Sequence, residues 1–235
     1  MIKGFSLIEV FIALAISLGT LTLVIAAVSG TTRTSVKVVS YQDKMAAIFH
    51  TMEVLRSDLT KCGMRLHEAS NIVAYPLFVN TGFSFRVTYG TAGESLLEPA
   101  QTGDTAIYIN RNDFFSKRKK ILLVDQESNR YEFHYISGKK GDQLFLRDAL
   151  LFDYPKSCRV IVLKEVEYKL YSQENSRSLK RKVNHGYFQP LLEEITDFNV
   201  HFYPEANAVF YKIEINHREQ IRGYIYMSNM VKVVK

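Results

Sequence analysis

The sequence predicts an α+β protein in which a long N-terminal helix packs on a C-terminal antiparallel β domain. An uncharged, proline-free and strongly apolar run covers residues 10–32. Apolar residues then recur at steps of three and four as far as Cys62, which is the spacing of an amphipathic helix. Beyond Gly63 the apolar residues alternate with polar ones, and this period of two is typical of half-buried strands.

The apolar run predicts a transmembrane helix. About 23 residues of helix extend for ~34 Å, which exceeds the ~30 Å hydrocarbon core of a bilayer. Three alternatives are a plain single-span anchor, a secretory signal peptide and a buried helix of a globular protein. A signal peptide has a shorter apolar region, and a buried amphipathic helix is not apolar on every face. A plain anchor does not require the acid at Glu9.

Glu9 is an acidic residue at the edge of this apolar run. Placing an ionised group in hydrocarbon costs about 2.5–3.5 kcal/mol, so such an acid indicates a function and a partner. If the chain is cut after Gly4, Phe5 gains an α-amino group, and a neighbouring copy can offer that amine to the Glu9 carboxylate. We therefore predict that Glu9 is a docking charge between subunits.

The first ten residues, Met-Ile-Lys-Gly followed by Phe-Ser-Leu-Ile-Glu-Val, resemble the type III signal of type IV pilins and pseudopilins. This resemblance implies cleavage between Gly4 and Phe5 by prepilin peptidase, and N-methylation of Phe5. It also implies a single-pass protein of the bacterial inner membrane, with a periplasmic globular domain, that later enters a pilus or pseudopilus. The predicted parts are a leader at 1–4, a transmembrane and filament-core helix at 5–30, an amphipathic continuation at 31–63 and the β domain at 64–235.

Further segments resemble PilW-type minor pilins and the J-type pseudopilins of type II secretion. They are residues 55–59 with Cys62 and Gly63, residues 103–108, and a later segment made of residues 168–171, 179–181 and 190–198. The resemblance implies a pilin-like fold and a non-catalytic subunit that helps to initiate filament assembly. The implied partners are prepilin peptidase, other minor and major pilins or pseudopilins, the inner-membrane assembly platform, and membrane lipid before assembly.

The second half of the helix is predicted to bury one stripe on the domain that follows. The stripe consists of Met45, Ile48, Phe49, Met52, Leu55, Leu59 and Cys62. Charged residues fall on the opposite face, which indicates a solvated surface. Gly63 is the expected end of the helix because glycine commonly terminates helices.

Ten segments after Gly63 have the pattern of strands. The turn residues 137–142 predict a hairpin between two of them. The predicted strands are 83–89, 105–110, 120–125, 130–137, 143–147, 159–171, 179–183, 198–203, 209–216 and 222–227.

Cys62 and Cys158 are the two cysteines of the chain, so one disulfide pairing can be drawn. In an oxidising compartment, a bridge closing a loop of roughly 95 residues would stabilise the fold by about 4–5 kcal/mol in the chain-entropy model. The alternative is two separate thiols packed as small apolar groups.

Sequence motifs of catalysis or metal binding are missing. The six histidines lack paired metal-ligand spacing, and neither HExxH, CxxC nor Gly-x-Ser-x-Gly occurs. We therefore predict that the protein is not an enzyme and has neither a cofactor nor a metal site.

A net charge of +6 permits contact with acidic partners without requiring it. Three basic clusters could bind a nucleic-acid backbone if Tyr131, Tyr135 or Tyr187 stacked on the bases beside them. A DNA-binding uptake pilin and a filament-tip adhesin are therefore alternative functions, although short lysine runs are more often solvated loops or strand edges. The clusters are Lys117, Arg118, Lys119 and Lys120, then Lys139 and Lys140, then Lys180, Arg181 and Lys182.

Overall fold

The computed structural model describes residues 7–66, 78–80, 84–110, 113–173, 176–215 and 219–229. These residues form one α-helix, twelve strands and a short 3-10 helix, Pro204–Ala206. The chain divides into two compact units, Met1–His50 and Thr51–Lys235. The elements are α1 (Leu7–Thr60), β1 (Phe78–Asn80), β2 (Ser84–Ser95), β3 (Ala106–Tyr108), β4 (Lys120–Asp125), β5 (Arg130–Lys140), β6 (Gln143–Leu146), β7 (Arg159–Gln173), β8 (Ser176–Val183), β9 (Gln189–Leu192), β10 (Ile195–Tyr203), β11 (Ala208–Ile215) and β12 (Glu219–Tyr226).

The strands of the second unit form two sheets. The larger sheet has nine strands, with the order β1-β2-β7-β4-β5-β6-β3, and β8 and β9 continue from β7. The smaller sheet has the order β10-β11-β12. Neighbouring strands in both sheets run antiparallel.

Strand β7 is the centre of the larger sheet. It has 15 residues and pairs with β2 along most of its length. On its other edge, β4 pairs with the first part of β7, from Arg159 to Val162, and β8 pairs with the second part, from Val166 to Gln173. One long strand therefore holds three neighbours.

Alternate residues of the central strands enter two apolar clusters. In β4, Ile121 and Leu123 belong to one cluster, whereas Leu122 and Val124 belong to the other. All four side chains are buried, which explains why β4 is a continuous apolar run in the sequence. Apolar burial of this kind stabilises a fold by about 25 cal/mol for each Å² removed from water.

The end of α1 belongs to the second unit and is bonded to it at several points. The Thr51 hydroxyl donates to the Leu191 carbonyl oxygen at 3.0 Å, and the Asn229 side chain donates to the Thr60 carbonyl oxygen at 2.7 Å. After the helix, Gly63 adopts a positive φ of 75° and its N–H donates to the Thr88 carbonyl oxygen at 3.0 Å. These bonds attach the helix end to the turn and strands around it.

The predicted fold class, a long N-terminal helix packed on a β domain, is wrong. The described residues are mainly β-structure, and only the last ten residues of α1, Thr51–Thr60, lie in the β unit. The two apolar clusters of the larger sheet are built from strand and loop residues. The physical reason is that the sheets supply most of the buried apolar surface, whereas the described apolar side chains between Leu7 and Val28 are exposed.

In the part of the chain that the structure describes, no helix has both the length and the apolarity needed to cross a membrane. The predicted transmembrane helix at 5–30 is therefore wrong, and so is the predicted location as a single-pass inner-membrane protein. Crossing a bilayer takes about 20 consecutive apolar residues, and the described residues do not supply them within one helix.

Candidate functional site

The predicted N-terminal site falls largely outside the described residues. Gly4 and Phe5 precede the first of them, so their predicted roles in cleavage and methylation remain predictions. Glu9 lies in the first turns of α1, but its side chain is outside the described part. Its role as a docking charge also remains a prediction.

The described part of α1 carries an exposed apolar surface. Successive helical residues are turned by about 100°, and the exposed apolar side chains fall on every side of the helix. Leu18, for example, is 60% exposed. We call this the apolar helix surface; it consists of Leu7, Ile8, Phe11, Ile12, Leu14, Ile16, Leu18, Leu21, Leu23, Val24, Ile25 and Val28.

Hydroxyl groups within this surface are bonded inside the helix. Thr20 donates to the Ile16 carbonyl oxygen at 3.1 Å, and Thr22 donates to the Leu18 carbonyl oxygen at 3.1 Å. Ser29 donates to the carbonyl oxygen of Ile25 at 2.7 Å. Since these hydroxyls already have acceptors one turn earlier, an apolar partner can cover the helix without leaving them unsatisfied.

The two cysteines are separate buried thiols and do not form the predicted disulfide. Cys158 belongs to an apolar cluster of the larger sheet, whereas Cys62 lies in the turn after α1, close to Thr88. Burial raises the pKa of each thiol to about 12. Both cysteines therefore act as small buried groups, which is the alternative that the sequence left open.

Several residues of the three basic clusters have partners within the protein. Lys120 forms an ion pair with Glu165 at 2.9 Å, and Lys182 forms one with Glu167 at 2.6 Å. Lys180 lies over the ring of Tyr171, 4.6 Å from its centroid. Lys117 and Arg118 are exposed in a loop, Lys119 donates to the Phe114 carbonyl oxygen, and Lys139 and Lys140 lie at the end of β5.

Arg181 points to the opposite face of β8 from Lys180 and Lys182, and it has a structural partner. Its Nε donates to Asp58 Oδ2 at 2.8 Å, and a terminal nitrogen donates to Asp58 Oδ1 at 3.2 Å. The Tyr168 hydroxyl donates to the same carboxylate at 2.5 Å. This network joins α1, β7 and β8 and holds the Arg181 guanidinium against Asp58.

A buried pair, Glu132 and His134, is a chemical group that the sequence did not indicate. His134 Nε2 and Glu132 Oε2 are 2.8 Å apart, and both side chains are almost fully buried. The Glu132 carboxylate also accepts the backbone N–H groups of Leu151 and Phe152 at 2.9–3.0 Å. The pair therefore attaches the loop at 151–152 to β5, and its burial separates it from substrates in solution.

An exposed group of rings on the smaller sheet was also missed. Residues paired across β10, β11 and β12 point to the same side of the sheet. Tyr224 is 70% exposed and Tyr226 is 61% exposed. A signal was present in the sequence, because aromatic residues stand two apart at 201 and 203 and again at 224 and 226. We call this surface the aromatic face; it consists of His201, Tyr203, Phe210, Tyr224 and Tyr226.

Within the described ranges, no three histidine, cysteine, aspartate or glutamate side chains lie close enough to hold a metal ion. The candidate interaction sites of the described residues are thus the apolar helix surface and the aromatic face.

No protein-family model matches this chain, and no curated protein matches it. Among solved structures, part of the chain is similar to the Gp54 tailspike of Acinetobacter baumannii bacteriophage AP22 in complex with A. baumannii capsular saccharide. The sequence identity is 10%, the TM-score is 0.28, and the match covers 34% of this chain and 15% of the tailspike chain. A similarity this partial carries no argument about fold or function.

These findings correct the predicted membrane protein and leave the predicted pilus and prepilin-peptidase assignments without support. The described residues contain no membrane-spanning helix, and no family model supports the resemblance on which these descriptors depended.

Proposed function

We propose that this protein is a structural, non-catalytic subunit that joins a filament through α1, in the manner of the minor pilins and pseudopilins that its N-terminal sequence resembles. The single observation that supports this proposal is the apolar helix surface, which is exposed on every side of the helix.

The free energy available from covering this surface is large. Burying one Leu, Ile, Val or Phe side chain contributes about 1.5–3 kcal/mol, and twelve such side chains between Leu7 and Val28 are exposed. Their burial would release on the order of 20 kcal/mol before the entropy cost of association. An exposed apolar surface of this extent indicates an interaction site.

The distribution of the surface favours other helices as its partner. A helix that uses one stripe docks on one neighbour, whereas a helix that is apolar all round is surrounded by neighbours. A filament with a core of packed helices provides such surroundings for every subunit. The internally bonded hydroxyls of Thr20, Thr22 and Ser29 are compatible with that burial.

The test compares the same substitution at two exposed leucines. Leu18→Asp introduces a charge into the apolar helix surface, and Leu151→Asp introduces the same charge on the β unit, where Leu151 is 70% exposed. Tagged variants would be expressed in the source organism, and the tagged chain would be measured in isolated filaments and in whole cells. We expect Leu18→Asp to lower incorporation at least tenfold and Leu151→Asp to leave it unchanged.

Equal incorporation of both variants at equal cellular levels would contradict the proposal. A Glu9→Ala variant provides a second measurement, because loss of a docking charge should also lower incorporation without lowering the cellular level of the chain.

A further inference from the structure

The aromatic face is built by the register of the smaller sheet. His201 pairs with Phe210, and Phe210 pairs with Tyr224, so these three rings lie in one row across the strands. Tyr203 and Tyr226 both pair with Ala208, in the row beside it. The rings contact one another: the centroids of Phe210 and Tyr224 are 5.1 Å apart, and those of His201 and Tyr203 are 4.6 Å apart.

These rings are not needed to pack the sheet. The opposite side of β10, β11 and β12 supplies the core residues, which are almost fully buried. They include Phe198, Val200, Val209, Tyr211, Ile213, Ile215 and Ile225. Aromatic side chains that are exposed beside a complete core point to an interaction surface.

The charges of the side chains beside the rings sum to zero. Lys212 and Arg222 pair across the strands in the row next to the rings, and Glu214 lies in the row beyond it. The Lys212 ammonium is 3.3 Å from a Glu214 oxygen and 3.9 Å from an Asp197 oxygen. Two cations and two carboxylates give a net charge of zero, whereas nucleic-acid binding depends on a net positive surface.

We propose that the aromatic face binds an uncharged polysaccharide chain. The face of an aromatic ring carries negative potential and attracts the polarised C–H bonds on the flat side of a sugar ring. Neighbouring rings on adjacent strands can stack on successive sugars. Asn199 and Arg222, exposed in the adjoining row, provide hydrogen-bonding groups for sugar hydroxyls. The zero net charge suits a ligand without charge.

The composition of the aromatic face favours a polysaccharide over a protein as its ligand. Apart from Ala208, no aliphatic side chain lies on the described outward side of this sheet. The core of a protein–protein interface usually buries aliphatic as well as aromatic groups. The proposed ligand agrees with the adhesin alternative that the sequence raised, and it is independent of assembly through α1.

The test is native affinity electrophoresis of the full chain in gels that contain dextran, amylose, galactomannan or xylan. The detergent must lack a sugar head group, so that it does not compete for the rings. We expect at least one of these polysaccharides to retard the wild-type chain. Tyr224→Ala combined with Tyr226→Ala should weaken that retardation roughly tenfold or more, because two stacking rings are lost.

Two control variants make the result specific. Tyr187 is 93% exposed and lies outside the aromatic face, so Tyr187→Ala should bind as the wild type does. Tyr224→Phe combined with Tyr226→Phe keeps both ring faces and should retain binding within about threefold. Thermal melting of each variant would confirm that the sheet is folded.

Several outcomes would overturn the proposal. One is that no uncharged polysaccharide changes the migration of the wild-type chain. Another is that the polysaccharides retard the Tyr→Ala and wild-type chains equally. A third is that the chain binds a dT20 oligonucleotide more strongly than any polysaccharide. Self-association that the Tyr→Ala variant abolishes, with no polysaccharide binding, would assign the aromatic face to a second copy of the chain instead.

Discussion

Asp58 joins the end of α1 to the larger sheet. Its carboxylate accepts hydrogen bonds from Tyr168 and Arg181, and its side chain is only 5% exposed. Burial, followed by the negative charge of Asp58, raises the pKa of the Tyr168 phenol far above its ordinary value. The phenol therefore stays protonated and continues to donate to the carboxylate.

Replacing Asp58 with alanine should destabilise the β unit by about 2–4 kcal/mol. The substitution leaves the guanidinium of Arg181 and the hydroxyl of Tyr168 without their acceptor, and removing one member of a buried charge pair is costly. The measurement is urea unfolding followed by circular dichroism. Glu167→Ala is the matched control, because the Glu167–Lys182 pair is more exposed and should contribute less than about 1 kcal/mol. Equal losses in the two variants would contradict this account.

At the scale of elements, the turn after α1 lies directly against β2. The N–H of Gly90 donates to the Met64 carbonyl oxygen at 2.8 Å, and the N–H of Gly63 donates to the Thr88 carbonyl oxygen. A Cβ atom on Gly90 would lie 2.8 Å from Ile161 Cγ2 and 3.3 Å from the Met64 carbonyl oxygen. The close approach of turn and strand therefore requires glycine at this position.

Gly90→Ala should destabilise the β unit by about 1–3 kcal/mol, because the new methyl group would clash with Ile161 of β7 and press on the turn at residues 64–65. Gly93→Ala, in the same strand, is the control. The nearest atom to its added Cβ would be 3.6 Å away, which is ordinary contact, so the change should stay within about 0.5 kcal/mol or stabilise slightly. Denaturant midpoints of the two variants provide the comparison, and equal midpoints would refute the proposed clash.

At the scale of the whole molecule, the buried acidic groups set the limit of alkaline stability. Burial raises the pKa of Cys62 and Cys158 from an ordinary value of 9.0 to about 12. It also raises the pKa of Tyr154 and Tyr168 above the ordinary 10.0. All four groups are therefore protonated in the folded protein at a pH where the unfolded chain has begun to lose those protons.

The free energy of unfolding should accordingly be constant up to about pH 9 and then fall as the pH rises. Each thiol contributes a decrease of up to about 1.4 kcal/mol per pH unit between its unfolded and folded pKa. Urea midpoints between pH 8 and 11 measure the decrease. In a Cys62→Ala, Cys158→Ala variant the fall should begin nearer pH 10, where tyrosine titrates. A wild-type midpoint that stays constant to pH 11 would contradict the prediction.

Much of the β-structure could be predicted from local pattern. The alternation at 209–216 and the turn residues at 137–142 correspond to β11 and to the β5–β6 hairpin, because period and turn chemistry are local properties. The pairing of β7 with β2, β4 and β8 was not predictable, because contacts between distant segments leave no local pattern. The same limit applies to the bonds between Glu132 and the loop at 151–152 and to Arg181, whose partner Asp58 lies 123 residues away.

The membrane helix was predicted from the uncharged run at residues 10–32, but no described helix has both the length and the apolarity that crossing a bilayer requires. The disulfide was predicted as one of two alternatives. The number of cysteines fixes which two can pair, but it does not fix the distance between them in the fold. Burial of Cys62 and Cys158 in different parts of the interior decides between them.

The central position of β7 has a consequence for biosynthesis. Strands β2 and β4 are translated well before residues 159–173, yet one edge of each strand pairs with β7. At a ribosomal rate of about 5–20 residues per second, β2 waits roughly 4–16 s for the end of β7 to be translated. During that interval the nascent chain exposes unpaired strand edges, so we expect chaperones that bind nascent chains to raise the yield of this protein.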